Sequence, residues 1–191
     1  MPNSARPNLR NAMQNLLVAD ARLGRKSGWD KLYRYWQPRF LGFAIRRTGD
    51  NETARDAVQS AWVDIYRSLA KLKDDRAFAV WAYRIVHRRC LKAMAKKTGH
   101  SEVAIAAIPA SHDPRATTDA KIDLGRAIAR LSPEHQAVLI LFYREGFRIA
   151  EIAVALELAE GTVKTRLMHA RNQLKTLMQD EDEKETENES V

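Results

Sequence analysis

Apolar residues along this chain recur at three- and four-residue steps and almost never alternate with polar ones, which limits the folds open to it. Trp29, Leu32, Tyr33, Trp36, Phe40 and Phe43 would line one side of a helix, and Ala54, Val58, Ala61, Trp62, Ile65, Leu69 and Leu72 would line another. No window joins period-two alternation to the turn pairs that bound a hairpin, so strands are not expected. The predicted fold class is all-α.

Breaks in the pattern divide the chain. Pro38 is expected to kink the first helical run or to start a new helix. Gly49-Asp50-Asn51 separates it from the second, with Asp50 or Asn51 as a natural N-cap. A third helix should begin near Ala77 and run to about Lys97. Residues 98–118 hold two prolines, several small residues and no sustained period, and they read as a flexible linker. From Asp119 the pattern returns in shorter pieces. Ser132-Pro133-Glu134 is a strong helix start, because Ser caps free amides, Pro fits the first turn and an acid suits the positive helix end. Gly146 is the matching stop, and two helices are expected at about 148–157 and 160–177. The expectation is thus two small helical domains, 1–97 and 119–178, joined by the linker 98–118 and followed by a disordered acidic tail, 179–191.

Charge is divided as unevenly as structure. The net +8 conceals 21 Lys/Arg against 8 Asp/Glu in residues 1–97, a local +13, and 1 Lys against 7 Asp/Glu in residues 179–191, a local −6. Such a basic half suits a polyanionic partner. The longest apolar runs, such as Ala137 to Tyr143, fall far short of the roughly 20 residues that cross a bilayer. No apolar signal segment follows the charged N-terminus, and a cytoplasmic location is expected. The single cysteine, Cys90, rules out an intramolecular disulfide and a cysteine-based zinc site, and reads as a small core residue. Eight glycines form no phosphate-binding loop, and the histidines at 87, 100, 112, 135 and 169 form no metal-ligand or triad-like group. No catalytic residue, metal, cofactor or small-molecule substrate is therefore expected.

Two features carry a nucleic-acid reading. The last two helices have the layout of a helix-turn-helix: Ile149, Ile152, Ala153 and Leu156 face inward on the first, and Val163, Leu167, Ala170, Leu174 and Leu177 on the second. Thr162, Lys164, Thr165, Arg166, His169 and Asn172 lie opposite that stripe, where donors could meet base edges and phosphates in a major groove. The second feature is a basic line. Arg84, Arg88, Lys92 and Lys96 fall at four-residue steps, joined by Arg89 and Lys97, with no acid between 84 and 97. Phe78, Trp81 and Tyr83 precede it, and aromatics beside cations suit unstacked bases of a melted strand. The competing reading of Trp81, spaced with Ile85, and equally of Phe78, is a core residue.

The residues also resemble a known family. WDKLYRYWQPRFLGFA, RDAVQSAWVDIYRSL and FAVWAYRIVHRRCLKAM, between Trp29 and Lys97, resemble region two of the extracytoplasmic-function sigma factors. LSPEHQAVLILFYREGF, IAEIA and GTVKTRLMHARNQL, between Ile122 and Leu177, resemble their region four. The resemblance implies a subunit that binds core RNA polymerase and directs it to promoters. It implies docking on the clamp coiled coil of the largest subunit through Asp56, Gln59, Ser60 and Trp62, and a further contact with the flap region. It implies minus-ten DNA contacts through Phe78, Trp81, Arg84, Arg88, Arg89 and Lys92. Minus-thirty-five contacts would come from Thr162, Lys164, Thr165, Arg166 and His169, and an anti-sigma factor would be a further partner.

Five positions depart from the family's pattern. Arg148 stands where a small N-capping residue is usual, Glu157 where Gly is usual and Ala159 where a Ser cap is usual. Ser60 replaces an acid, and Arg88 replaces an Asn. Lost caps cost about 1 kcal/mol each, so the second domain is expected to be less stable or to turn differently. The competing function is a stand-alone helix-turn-helix regulator that binds duplex DNA without polymerase, and a third is a sigma mimic with docking surfaces only. The basic, aromatic-bearing first domain argues against the former, and Lys164, Arg166 and the basic stripe argue against the latter.

Overall fold

The computed structural model describes residues 9–98 and 119–188, and every regular element among them is helical. The N-terminal region comprises α1 (Leu9–Arg22), α2 (Lys26–Thr48), α3 (Asn51–Ser68) and α4 (Phe78–Thr98), with two 3-10 turns between α3 and α4. The apolar periodicity that predicts helices starts only at Trp29, so α1 has no counterpart among the predicted helices. Its Val18 and Ala21 are nonetheless buried. Gly28 explains how closely α1 lies on α2, since a Cβ there would come within 2.7 Å of the Asp20 backbone.

Pro38 does not end α2, which runs unbroken through it. Interior Pro costs about 3 kcal/mol. Trp36 and Phe40, on either side of it, are both buried, and each such side chain returns about 1.5–3 kcal/mol. These two rings stack 5.3 Å apart, and Tyr83 meets Phe40 and Phe43 edge-on at 5.2 and 5.3 Å. Gly49, at φ 78°, closes α2, and the Asp50 carboxylate then accepts from the amides of Glu52 and Thr53 to open α3. Of the two predicted caps, Asp50 is the observed one.

The C-terminal region comprises α5 (Asp119–Ala129), α6 (Pro133–Leu139), α7 (Ile149–Leu156) and α8 (Glu160–Asn188). Ser132 Oγ accepts from the His135 amide, as a capping serine should. The helix then widens into a π turn over Ile140–Arg144, closed by the Glu145 amide donating to Ile140 O at 3.1 Å. Nothing in the sequence marked it. At the departures, Arg148 supplies no side-chain acceptor, but its own amide donates to Glu151 Oε2 at 2.7 Å, which keeps half of a capping box. Glu157 turns as a glycine would, at φ 56° and ψ 45°, and the Leu158 amide closes on Ala153 O at 2.9 Å. The turn thus keeps a glycine's geometry, and the different turn expected from this substitution is not seen.

Two expectations shift at the C-terminal end. The last helix does not stop near Leu177 but continues to Asn188, so residues 179–188 are helical where disorder was expected. Gln, Glu and Lys are good helix formers, and extending an existing helix needs no new nucleus. Of the proposed linker, residues 98–118, Thr98 is the last residue of α4 and residues 99–118 lie outside the described residues.

The two regions pack on each other. The α4 helix lies against α7 and α2 against α6, and buried residues of both regions form one apolar cluster. Tyr83 of α4 meets Phe147, just ahead of α7, edge-on at 5.6 Å. Three acids of the second region meet arginines of the first. Glu134 lies 3.1 Å from Arg47, Glu145 lies 3.8 Å from Arg39 with its side chain only 1% exposed, and Glu157 binds Arg84 and Arg88.

Candidate nucleic-acid interface

The α8 helix has the two-sided character that its sequence predicted. Val163, Leu167 and Ala170 are buried against α7 and α6. Thr162, Lys164, Thr165 and His169 are exposed, and Arg166 is half-buried. Thr162, Thr165, Arg166 and His169 follow i, i+3, i+4 and i+7 spacing, so they form one continuous stripe. The Thr165 hydroxyl donates back to Gly161 O at 3.0 Å, and the His169 ring lies 6.4 Å from His135. This surface has the form of a helix offered to a groove.

The basic line on α4 is a different kind of surface. Arg84 Nε donates to Glu157 Oε1 at 2.9 Å, and Arg88 Nη2 donates to the same oxygen at 2.5 Å. These two guanidinium groups, Arg88 foremost, hold the Glu157 carboxyl down at about 2. Arg89 turns the other way and forms a two-pronged pair with Asp64 of α3, at 2.5 and 2.6 Å, which clips the two helices together. Lys92 is exposed. Of the aromatics, Phe78 is 1% exposed and packs 5.5 Å from Trp36, so it is a core residue and not a stacking platform. Burying its ring against Trp36 outweighs any role for it at the surface. Trp81 is half-buried beside it, with ring centroids 5.9 Å apart.

The proposed docking residues divide as well. Asp56 and Gln59 are exposed and Ser60 half-buried, and all three line a groove of about 590 Å³ between α3 and α4. Asp50, Glu52 and Asp56 stand on its α3 wall and Arg89, Lys92, Lys96 and Lys97 on its α4 wall, so its two sides carry opposite charge. At its end the Lys97 ammonium lies 3.1 Å from Asp50, whose carboxyl is held low by its hydrogen bond to Thr53 and, less strongly, by Lys97. Trp62 turns inward: its Nε1 donates to Gln37 Oε1 at 2.6 Å and its ring meets Tyr33 and Phe40. Its ring therefore packs the inner side of α3.

A second groove, of about 680 Å³, opens between α5, the π turn and α8. Leu124, Ile128, Ile140, Tyr143 and Leu174 form its floor, with Arg46, Arg144, Arg171 and Lys175 around it. The Arg171 guanidinium lies over the rings of Phe142 and Tyr143 at 5.2 and 5.5 Å. The π turn redirects these aromatics, so helical spacing alone could not have revealed the groove. Among the described residues no cluster could hold a metal ion, and no helix is long and apolar enough to cross a membrane.

Comparison with known proteins agrees with this arrangement. Family models described as "Sigma-70 region 2" and "Sigma-70, region 4" match residues 32–99 and 121–174. The "ECF RNA polymerase sigma factor SigM" of Mycobacterium tuberculosis is 30% identical over 162 residues, covering 85% of this chain and 83% of that one. The "RNA polymerase sigma-H factor" of Pseudomonas aeruginosa is 26% identical over 178 residues, covering 85% and 92%. Among solved structures, the fold is shared with the sigma factor RpoE of Bartonella quintana, crystallised with the anti-sigma factor NepR (TM-score 0.66, 22% identity, 79% of this chain and 96% of that one). It is shared too with CnrH in complex with the cytosolic domain of CnrY (TM-score 0.58, 22% identity, 87% and 97%). A region-two helical domain, a region-four helix-turn-helix and relatives spanning both place the chain in the extracytoplasmic-function branch of the sigma-70 family of RNA polymerase sigma factors.

Proposed function

We propose that the chain binds core RNA polymerase and brings it to promoters, region four reading a duplex minus-thirty-five element and region two opening the minus-ten element. The observation that carries this reading is the pair of surfaces it needs. The α8 helix presents Thr162, Lys164, Thr165, Arg166 and His169 away from a buried apolar stripe, and α4 carries Arg84, Arg88 and Lys92 on a helix braced by an aromatic core. Trp81 is the aromatic left at the edge of that surface to meet an unstacked base. Asp56, Gln59 and Ser60 supply the polar contact for the clamp coiled coil, and the apolar groove rimmed by arginines suits a helix of the flap region. An anti-sigma factor is the further partner. The chain contributes contacts and strand separation, the polymerase the chemistry, and the place of action is the cytoplasm, where both polymerase and DNA reside.

Transcription in vitro with purified core polymerase on a genomic promoter library tests this directly. Start sites that appear only when the chain is added are the expected result. Duplex binding that proceeds without polymerase, with no new start sites, would return the chain to the class of stand-alone helix-turn-helix regulators.

A further inference from the structure

Two of the positions at which this chain departs from its family's pattern meet in space. Arg88 replaces an Asn and Glu157 a Gly, and although 69 residues apart they are joined by three hydrogen bonds, from Arg88 Nη2 to Oε1 and from Arg88 Nε to both oxygens. Arg84 adds a fourth contact from the preceding turn. A carboxylate gripped by two guanidinium groups one helical turn apart occupies the place a backbone phosphate would take on this stripe. Glu157 holds it from a left-handed backbone, the only positive φ at a non-glycine among the described residues. Glycine adopts that conformation freely, so the side chain is kept against local preference.

The surrounding contact explains how the carboxylate is delivered. Every ion pair described above between the two regions sets an acid of region four against an arginine of region two. Behind them Tyr83 and Phe147 close an apolar seam. The seam does not need Glu157, whose side chain sits at the rim and keeps 34% exposure.

We propose that Glu157 is an internal stand-in for a DNA phosphate. With region four docked on α4 it occupies Arg84 and Arg88, and promoter DNA must displace it before α4 can engage the strand. This rests on the reading of α4 as a DNA surface.

The test uses the full chain and a fork-junction DNA of arbitrary sequence at low salt. Two variants remove the charge: Glu157→Gln keeps the size of the side chain, and Glu157→Gly relieves the left-handed backbone and so protects folding. Each should bind the fork about 1.5-fold to fivefold more tightly than wild type, the range for releasing an exposed ion pair. The gain should vanish when Arg84→Ala and Arg88→Ala are added. Fork affinity equal to wild type in both charge-removing variants, with Arg84→Ala/Arg88→Ala still weakening them, overturns the stand-in and spares the DNA surface. If Arg84→Ala/Arg88→Ala changes the affinity of Glu157→Gly not at all, α4 is not a DNA surface, and the functional reading of that helix falls with the proposal.

Discussion

The two basic helix faces of this sigma factor differ in what their cations touch. On α8 the polar stripe from Thr162 to His169 stands open beside its buried partners Val163, Leu167 and Ala170. On α4 the arginines at 84 and 88 are already in contact with Glu157, and Arg89 is committed to Asp64. Positive charge therefore marks where DNA could bind, but only the three-dimensional partners of that charge say when. If both surfaces meet DNA as proposed, the α8 stripe could do so as it stands, whereas α4 would first have to give up its contact with Glu157.

The largest expected effect comes from the seam that keeps α4 covered. Phe147→Ala should cost about 3–5 kcal/mol if its buried ring leaves an unfilled space. Chemical denaturation would measure that loss, and small-angle scattering should show a larger particle as the regions part. An unchanged scattering profile would mean that the ion pairs alone hold α4 covered.

Next comes the division of labour itself. Arg166→Ala should weaken duplex minus-thirty-five binding by about 1–3 kcal/mol if the side chain reaches a base edge, and by less if it touches only phosphate. Replacing Arg84 and Arg88 together should spare duplex capture and reduce melting. Filter binding beside permanganate footprinting separates the two steps, and identical behaviour of the mutants would erase the contrast between the surfaces.

Acid should act on the seam through His87. Burial, helped by Arg47, holds its imidazole down at about 4, against about 6.5 for an unfolded chain. Because the folded state favours the neutral ring, the unfolded chain binds more protons between these values, so stability should be full above about 6.5 and fall as pH drops toward about 4. Glu157 works in a lower window: its contribution is present above the ordinary carboxyl range and is lost only as pH falls through about 2. Urea midpoints at pH 7 and pH 5 should therefore differ in wild type and differ less in His87→Gln.

The smallest effect belongs to the acidic end. Removing residues 179–191 takes away −6 and changes the net charge from +8 to +14, so nonspecific DNA binding should tighten slightly and depend more steeply on salt. Equal affinities at low salt would make the segment a solubilising extension.

The sequence was most informative where a single residue governs local geometry. Asp50, Ser132, Gly49 and Gly146 all cap or stop helices as their chemistry requires. It misled where packing overrules a local rule: Pro38 sits inside α2 because Trp36 and Phe40 are buried around it, and Phe78, a candidate platform for bases, is drawn into the same core. The partners of the basic stripe were out of reach for another reason. Arg84 and Glu157 are 73 residues apart, and helical periodicity carries no information across that separation. The departure at Glu157 was visible as an unusual residue for a turn, but its meaning depended on which helix that turn would touch.

Cys90 sits inside α4's packing, fully buried, and burial pushes its thiol up to about 12. At neutral pH it is neither reachable nor ionised, so a thiol reagent can modify it only in molecules that have transiently opened. The protein thus contains its own clock: the rate of labelling at this one site counts how often the helix beneath the covered surface comes free, without a probe having to be introduced.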